Sequence, residues 1–308
     1  MIFDLFLVAL GLAALLAGGE GLVRGAVSIA RRAGLSPLVI GLTLVGFGTS
    51  APELMTSLIA AVNGLPGIAL GNVVGSNIAN VFLILGAAAV IAPVAAGALL
   101  GRDGYVMVVA TALTIGIILT GSVGFWAGAV GLAALLAYLG FTLFTGGDAD
   151  LDVTETPDPV GKAIAFFAVG LVGVVLGANW LVTGASDIAR VLGVSETVIG
   201  LTIVAVGTSL PELVTSVMAA RKGQGGIALG NVIGSNIFNV LGILGITAMV
   251  TPLAVPPEMT GLTLWVFAAS ALVPLLLAWI VGVLNRWVGL VLLVIYAGYT
   301  ALLVIGAL

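Results

Sequence analysis

Apolar residues run along the chain in about ten long stretches, each close to the ~20 residues a helix needs to cross a hydrocarbon layer, separated by short polar breaks. The breaks place predicted helices near 2–23, 37–62, 67–92, 104–120 and 123–145, then 161–182, 196–220, 226–250, 261–282 and 286–306. The first stretch carries Asp4 rather than a basic flank and lacks a small-residue cleavage site ahead of a soluble domain. It is therefore expected to be a retained helix rather than a leader.

The pattern occurs twice. An offset of 159 residues lays 41–80 on 200–239 without a gap, and 27 of those 40 positions are identical. Such self-similarity marks a duplication. Five spans per half is an odd number, so the second half is expected to enter the membrane from the opposite side, as an inverted repeat. The basic residues test this separately, because cytoplasmic loops hold the excess of Lys and Arg. With the N-terminus outside, Arg24, Arg31, Arg32, Arg102, Lys162, Arg221, Lys222 and Arg286 all fall on the cytoplasmic side, and Arg190 alone falls outside. Arg24 and Arg32 are matched in the second half by Thr183 and Val191, so basic residues are missing where the loop is external. The expected architecture is an all-α integral membrane protein of ten transmembrane helices in two inverted five-helix repeats, 1–147 and 161–308. An acidic cytoplasmic linker, 148–160, joins them, and both termini are extracellular at the cell membrane.

Composition narrows the chemistry. Hydrophobic residues make up 61% of the chain and charged residues 7%, with a mean hydropathy of +1.33, far from the ~25% charged residues of soluble domains. Cysteine and histidine are both absent, so any ion site is built from oxygen. A net charge of −4 argues against nucleic acid as a partner. Asp148, Asp150, Asp152, Glu155 and Asp158 lie in the linker and read as a solvated acidic loop.

Two motifs, each present in both halves, carry the chemistry. The second span contains Gly46-Phe47-Gly48-Thr49-Ser50-Ala51-Pro52-Glu53, repeated as Ala205-Val206-Gly207-Thr208-Ser209-Leu210-Pro211-Glu212. Pro52 and Pro211 have no backbone N–H to return to Gly48 and Gly207, so a broken helix with freed carbonyls is expected. Irregular backbone at membrane depth is tolerated where it is buried or lines a wet cavity. A carboxylate at the bilayer centre costs about 2.5–3.5 kcal/mol on insertion scales, and no Lys, Arg or His occurs near Glu53 or Glu212 in sequence to offset it. A cation or a proton is the expected counter-charge. The third span holds Asn72, Ser76 and Asn80 at four-residue spacing, repeated as Asn231, Ser235 and Asn239, which puts a polar stripe on one helix face. Gly71, Gly75, Gly230 and Gly234 suit close helix packing. Two carboxylates with hydroxyl, amide and carbonyl oxygens suit a hard cation. Calcium accepts six to eight oxygens in flexible geometry, whereas magnesium gives up its waters reluctantly.

These paired motifs, GTSAPE and GTSLPE, each followed by GN-x-x-GSN, resemble the alpha-repeats of the prokaryotic sodium/calcium exchangers within the calcium/cation antiporter superfamily, and the resemblance covers the whole chain. It implies one calcium site and up to three sodium sites between the broken helices. Glu53 and Glu212 would be ligands of both ions, Thr49, Ser50, Ser76, Thr208, Ser209 and Ser235 would supply hydroxyls, and Gly46 and Ala205 would supply backbone oxygens. Asn80 and Asn239 would flank the central site; some relatives carry Asp at the latter position. Exchange would follow from competition for the two carboxylates, with the first and sixth spans sliding past a fixed core. The resemblance implies no catalysis, no cofactor and no obligatory protein partner beyond transported Na+ and Ca2+ and the bilayer. A calcium/proton antiporter on the same fold is the nearest alternative, followed by a passive cation channel. Glu20, whose repeat position is Asn179, is read as interfacial.

Overall fold

A computed structural model describes residues 1–145, 157–193 and 205–307. The helices are α1 (Ile2–Ala33), α2 (Pro37–Thr49), α3 (Ala51–Val62), α4 (Pro66–Ile91), α5 (Arg102–Ile118), α6 (Phe125–Thr145), α7 (Val160–Val191), α8 (Ala205–Thr208), α9 (Leu210–Arg221), α10 (Gly225–Val250), α11 (Leu262–Val281) and α12 (Arg286–Ala307). Among the described residues, seven of these are long and apolar enough to cross a membrane, and α2 with α3, bent by 44°, counts as one further span. Among the described residues the fold is thus helical apart from two short strand pairs, with seven to eight helices long and apolar enough to span a membrane. Lys and Arg are nearly absent from the apolar windows because an unpaired charge in hydrocarbon is costly.

Two helices form the centre. In α4 and α10, 72% and 89% of the apolar window is buried within the protein, against 28% or less in α1, α6, α7, α11 and α12. The outer helices keep large apolar side chains exposed, among them Leu16, Phe144, Val169 and Trp279. These are the surfaces that hydrocarbon would cover.

Local chemistry fixes the entry and exit of the helices. The Ser36 hydroxyl accepts from Val39 N at 3.2 Å, and Pro37, which lacks an N–H, starts α2. α1 closes on Gly34 at φ 65°, a left-handed conformation that glycine adopts without a Cβ clash. Both α1 and α7 run for 32 residues, past the expected limits at 23 and 182. At 1.5 Å per residue that is ~48 Å, well over the ~30 Å of hydrocarbon. Arg24, Arg31, Arg32 and Arg190 consequently sit on helical ends that can project beyond the apolar layer, rather than in loops.

α1 and α7 pack antiparallel through glycines spaced seven apart. A Cβ at Gly11 would come within 2.7 Å of Gly177 O, one at Gly18 within 2.7 Å of Val174 N, and one at Gly25 within 2.4 Å of Phe167 N. Gly170, Gly177 and Gly184 are the repeat equivalents of these three and make the reciprocal approaches, to Leu22 N, Gly11 O and Asp4 O. Only glycine lets backbones meet this closely. Two short ladders lie elsewhere: Val94–Ala95 (β1) pairs antiparallel with Val283–Leu284 (β4), and Ser122–Val123 (β2) with Leu253–Ala254 (β3). The repeat maps β1 onto β3, so each ladder joins one half to the other.

Of the acidic linker, Asp148, Asp150, Asp152 and Glu155 lie outside the described residues. Asp158 is described. Its carboxylate accepts from Arg24 at 2.8 and 3.2 Å and pairs with Lys162 at 3.0 Å, while Arg32 donates to the carbonyls of Asp158 and Pro157. The Arg24 guanidinium, with Lys162 behind it, holds this carboxyl down to about 2. The linker end is therefore tied to α1 as well as to α7.

Candidate functional site

The expected break in the second span occurs at Ser50, between α2 and α3, where φ is −83° and ψ is 9°. Ser209, between α8 and α9, takes almost the same conformation, φ −89° and ψ 6°. Each break is followed by proline within the first turn of the next helix, with Glu53 or Glu212 in that same turn. The positive end of the helix dipole thus faces each carboxylate. The carboxylates are buried, at 1% exposure apiece. Among the described residues, neither forms an ion pair with Lys or Arg.

Hydrogen bonds cross from one half to the other. Ser50 Oγ donates to Glu212 Oε1 at 2.8 Å, and Ser209 Oγ donates to Glu53 Oε1 at 3.3 Å. Ser50 Oγ also lies 3.1 Å from Ser235 Oγ, which donates in turn to Gly46 O at 3.4 Å. Thr49 Oγ1 is fully buried against Val45 O at 3.0 Å, Gly46 O at 3.4 Å and Asn231 Oδ1 at 3.2 Å. Backbone contact brings these groups together: a Cβ at Gly230 or Gly234 would stand 2.4 Å from Leu38 O or Leu42 O, so α10 lies directly on α2.

A second layer orients the first. Asn72 Nδ2 donates to Glu53 O and Ser57 Oγ, both at 2.9 Å, and Asn231 Nδ2 donates to Glu212 O at 3.3 Å and Ser216 Oγ at 2.9 Å. Asn80 Nδ2 donates to Asn236 Oδ1 at 3.0 Å, and Asn239 Nδ2 to Asn77 Oδ1 at 3.1 Å. Both α4 and α10 widen into a π-helical stretch here, at Asn80–Leu85 and Phe238–Ile243. Such stretches recur at functional sites.

After these bonds are made, Glu53 Oε2, Glu212 Oε2, Asn80 Oδ1 and Asn239 Oδ1 remain buried without a hydrogen-bond partner. All four are acceptors. A buried acceptor left unpaired costs about 1–3 kcal/mol, and a cation satisfies several at once, so this set of oxygens suits a hard, oxygen-loving ion.

Many of the expected residues are joined here: Gly46, Thr49, Ser50, Glu212 and Ser235 form one chain of hydrogen bonds, Glu53 and Ser209 bond to each other, and Asn80 and Asn239 form amide pairs across the halves. Ser76 is buried on α4 between Asn72 and Asn80, Thr208 is half-buried just before Ser209, and Ala205 opens α8. The sequence reading did not select Ser57, Ser216, Asn77 or Asn236. The first two sit one helical turn after the glutamates and the other two three residues before Asn80 and Asn239, so a search of the same helix faces would have found them. Glu20 stays outside the cluster, exposed and paired with Lys222 at 2.5 Å.

The sodium/calcium exchanger protein family matches residues 3–146 and 162–305. The putative antiporter CaxA of Alkalimonas amylolytica is 37% identical, covering 98% of this chain and 99% of its own length. The sodium/calcium exchanger MaX1 of Methanosarcina acetivorans is 35% identical, covering 97% and 98%. Among solved structures, the sodium-calcium exchanger NCX_Mj soaked with Na+ and Sr2+ superposes with a TM-score of 0.87 at 35% identity, over 97% of this chain and 98% of that one. Matched over both halves by the family and nearly end to end by these relatives, the chain belongs to the sodium/calcium exchanger family, a family of membrane transporters rather than enzymes.

Proposed function

We propose that the chain is a secondary active antiporter that exchanges Na+ for Ca2+ by alternating access at one shared central site. The observation that carries this is the buried pair Glu53 and Glu212, each hydrogen-bonded across the halves through one oxygen and unpartnered at the other, together with the unpartnered oxygens of Asn80 and Asn239. Two carboxylates neutralise one calcium ion, or bind sodium ions in its place, so each ion must leave before the other enters. Thr49, Ser50, Ser76, Asn80, Thr208, Ser209, Ser235 and Asn239 would contribute side-chain oxygens, and Gly46 and Ala205 carbonyl oxygens. The names of CaxA and MaX1, an antiporter and a sodium/calcium exchanger, agree with this reading.

The site would sit between two inverted repeats, 1–147 and 161–308, of five spans each. The antiparallel packing of α1 on its repeat equivalent α7 supports the inversion, as do the two ladders that exchange strands between halves. Ten spans result if α5, at 17 residues, is counted with its counterpart α11, and α8 with α9 as the counterpart of α2 with α3. Arg24, Arg32 and Lys162 gather around Asp158 at one end. That end would be cytoplasmic, leaving both termini outside the cell membrane.

The test is radiocalcium uptake into sodium-loaded proteoliposomes diluted into sodium-free buffer with pH clamped. Uptake driven by the outward sodium gradient is expected. Uptake that ignores sodium and follows an imposed pH gradient would replace this reading with calcium/proton exchange, and equilibration that accumulates nothing against a gradient would replace it with a passive channel.

A further inference from the structure

We propose that Asn236 and Asn77 are positioning residues that set the amide orientation of Asn80 and Asn239, so that each presents oxygen rather than NH2 to the cation; the inference rests on the site reading above. A carboxamide carries a good acceptor at one end and a two-hydrogen donor at the other, and nothing in its shape selects which end faces a neighbour. Beside a cation the choice decides between attraction and repulsion. In this protein the choice is made across the halves: Asn80 gives its Nδ2 to Asn236 Oδ1, and Asn239 gives its Nδ2 to Asn77 Oδ1. The donor end of each is consumed, and the Oδ1 of each is left buried and unpartnered. Turning either amide over would aim hydrogens at the site and face one acceptor with another.

The two orienting residues are anchored unequally. Asn236 Nδ2 reaches the Met107 sulfur on α5 at 3.6 Å, which holds the Asn236 oxygen toward Asn80. The repeat position of Met107 is Val266, which has no acceptor, and Asn77 Nδ2 is buried without a partner. Among the described residues, the Asn77 side chain is therefore held by the bond it accepts from Asn239, with no second anchor. The Asn80 orientation is thus braced through Asn236 by a further, weak N–H to sulfur contact, whereas the Asn239 orientation rests on the Asn77 oxygen alone.

The test is a pair of double-mutant cycles read by calcium-dependent thermal stabilisation of the purified full chain in detergent, titrated with Ca2+ alone. Asn236→Leu is expected to raise the calcium concentration for half-maximal stabilisation about tenfold, while adding little to the loss already caused by Asn80→Ala. Asn77→Leu with Asn239→Ala forms the second cycle. Because Asn77→Leu removes an idle donor, that variant should fold at least as stably in the absence of calcium as Asn236→Leu, and it carries the test if Asn236→Leu does not fold. A parent protein stabilised by calcium, whose Asn236→Leu and Asn77→Leu variants bind it equally well or show losses that add fully to the alanine substitutions, overturns the positioning role and leaves the site reading standing. A parent indifferent to calcium overturns both.

Discussion

At the scale of single residues, charge balance dominates. Glu53 and Glu212 are buried in a protein whose described residues offer neither of them a basic partner, and an unpaired buried charge is expensive. Glu53→Gln and Glu212→Gln should each abolish calcium exchange while leaving folded protein in the membrane, because one remaining carboxylate cannot neutralise calcium in a low-dielectric site. The amide keeps the shape and can still accept from Ser209 or Ser50, so folding should survive. Proteoliposome uptake with quantified reconstitution checks this; near-normal exchange by either variant would remove the central assignment. The glutamates, and the hydroxyls beside them, were legible in the sequence because proline, glycine and a carboxylate rarely share a span without a reason. The amides of Asn77 and Asn236 were harder to place, since their role lies in contacts with the opposite half.

At the scale of helices, two of the contacts between α1 and α7 can be tested separately. The first is the glycine register. Gly25→Ala places a methyl group 2.4 Å from Phe167 N, and overpacking of this kind costs roughly 1–3 kcal/mol. The variant should melt earlier in detergent and exchange more slowly. Gly140→Ala on α6, where a Cβ meets nothing within 4 Å among the described residues, serves as the control; equal melting of the two would show that α1 and α7 tolerate separation. The second contact is Asp158. Its carboxyl is held at about 2 against an ordinary 3.8 by Arg24 and Lys162. A depressed carboxyl contributes stability above its unfolded value and loses it as pH falls toward its folded one. The destabilisation caused by Asp158→Asn should therefore stay constant between about pH 5 and about pH 8. A difference that fades within that range, in melting curves of both proteins, would mean that another group controls the latch. The glycine register was present in the sequence at a spacing of seven, but glycine is abundant here, at 45 residues, and only the contacts distinguish packing glycines from the rest.

At the scale of the molecule, the consequence is electrical. Under the proposed exchange, three sodium ions against one calcium, the most that the family resemblance implies, would move one net charge per cycle. A charge crossing the membrane is worth about 2.3 kcal/mol per 100 mV. A potassium-valinomycin potential, with ionic composition otherwise matched, should then accelerate or slow calcium uptake according to its sign. An uptake rate that ignores the potential would point to two sodium ions per calcium.

The sequence by itself determined that the chain lives in a membrane, that it is a duplication, and which residues make up its candidate site. Hydropathy, identity between halves and the cost of a carboxylate in hydrocarbon are all properties of local strings. Tertiary structure alone decided which oxygen of each glutamate is engaged, that Ser50 serves Glu212 and Ser209 serves Glu53, and that α1 and α7 each run for 32 residues. Those outcomes depend on how the two halves meet, so that groups about 160 residues apart come within hydrogen-bond reach. No local pattern records such a meeting.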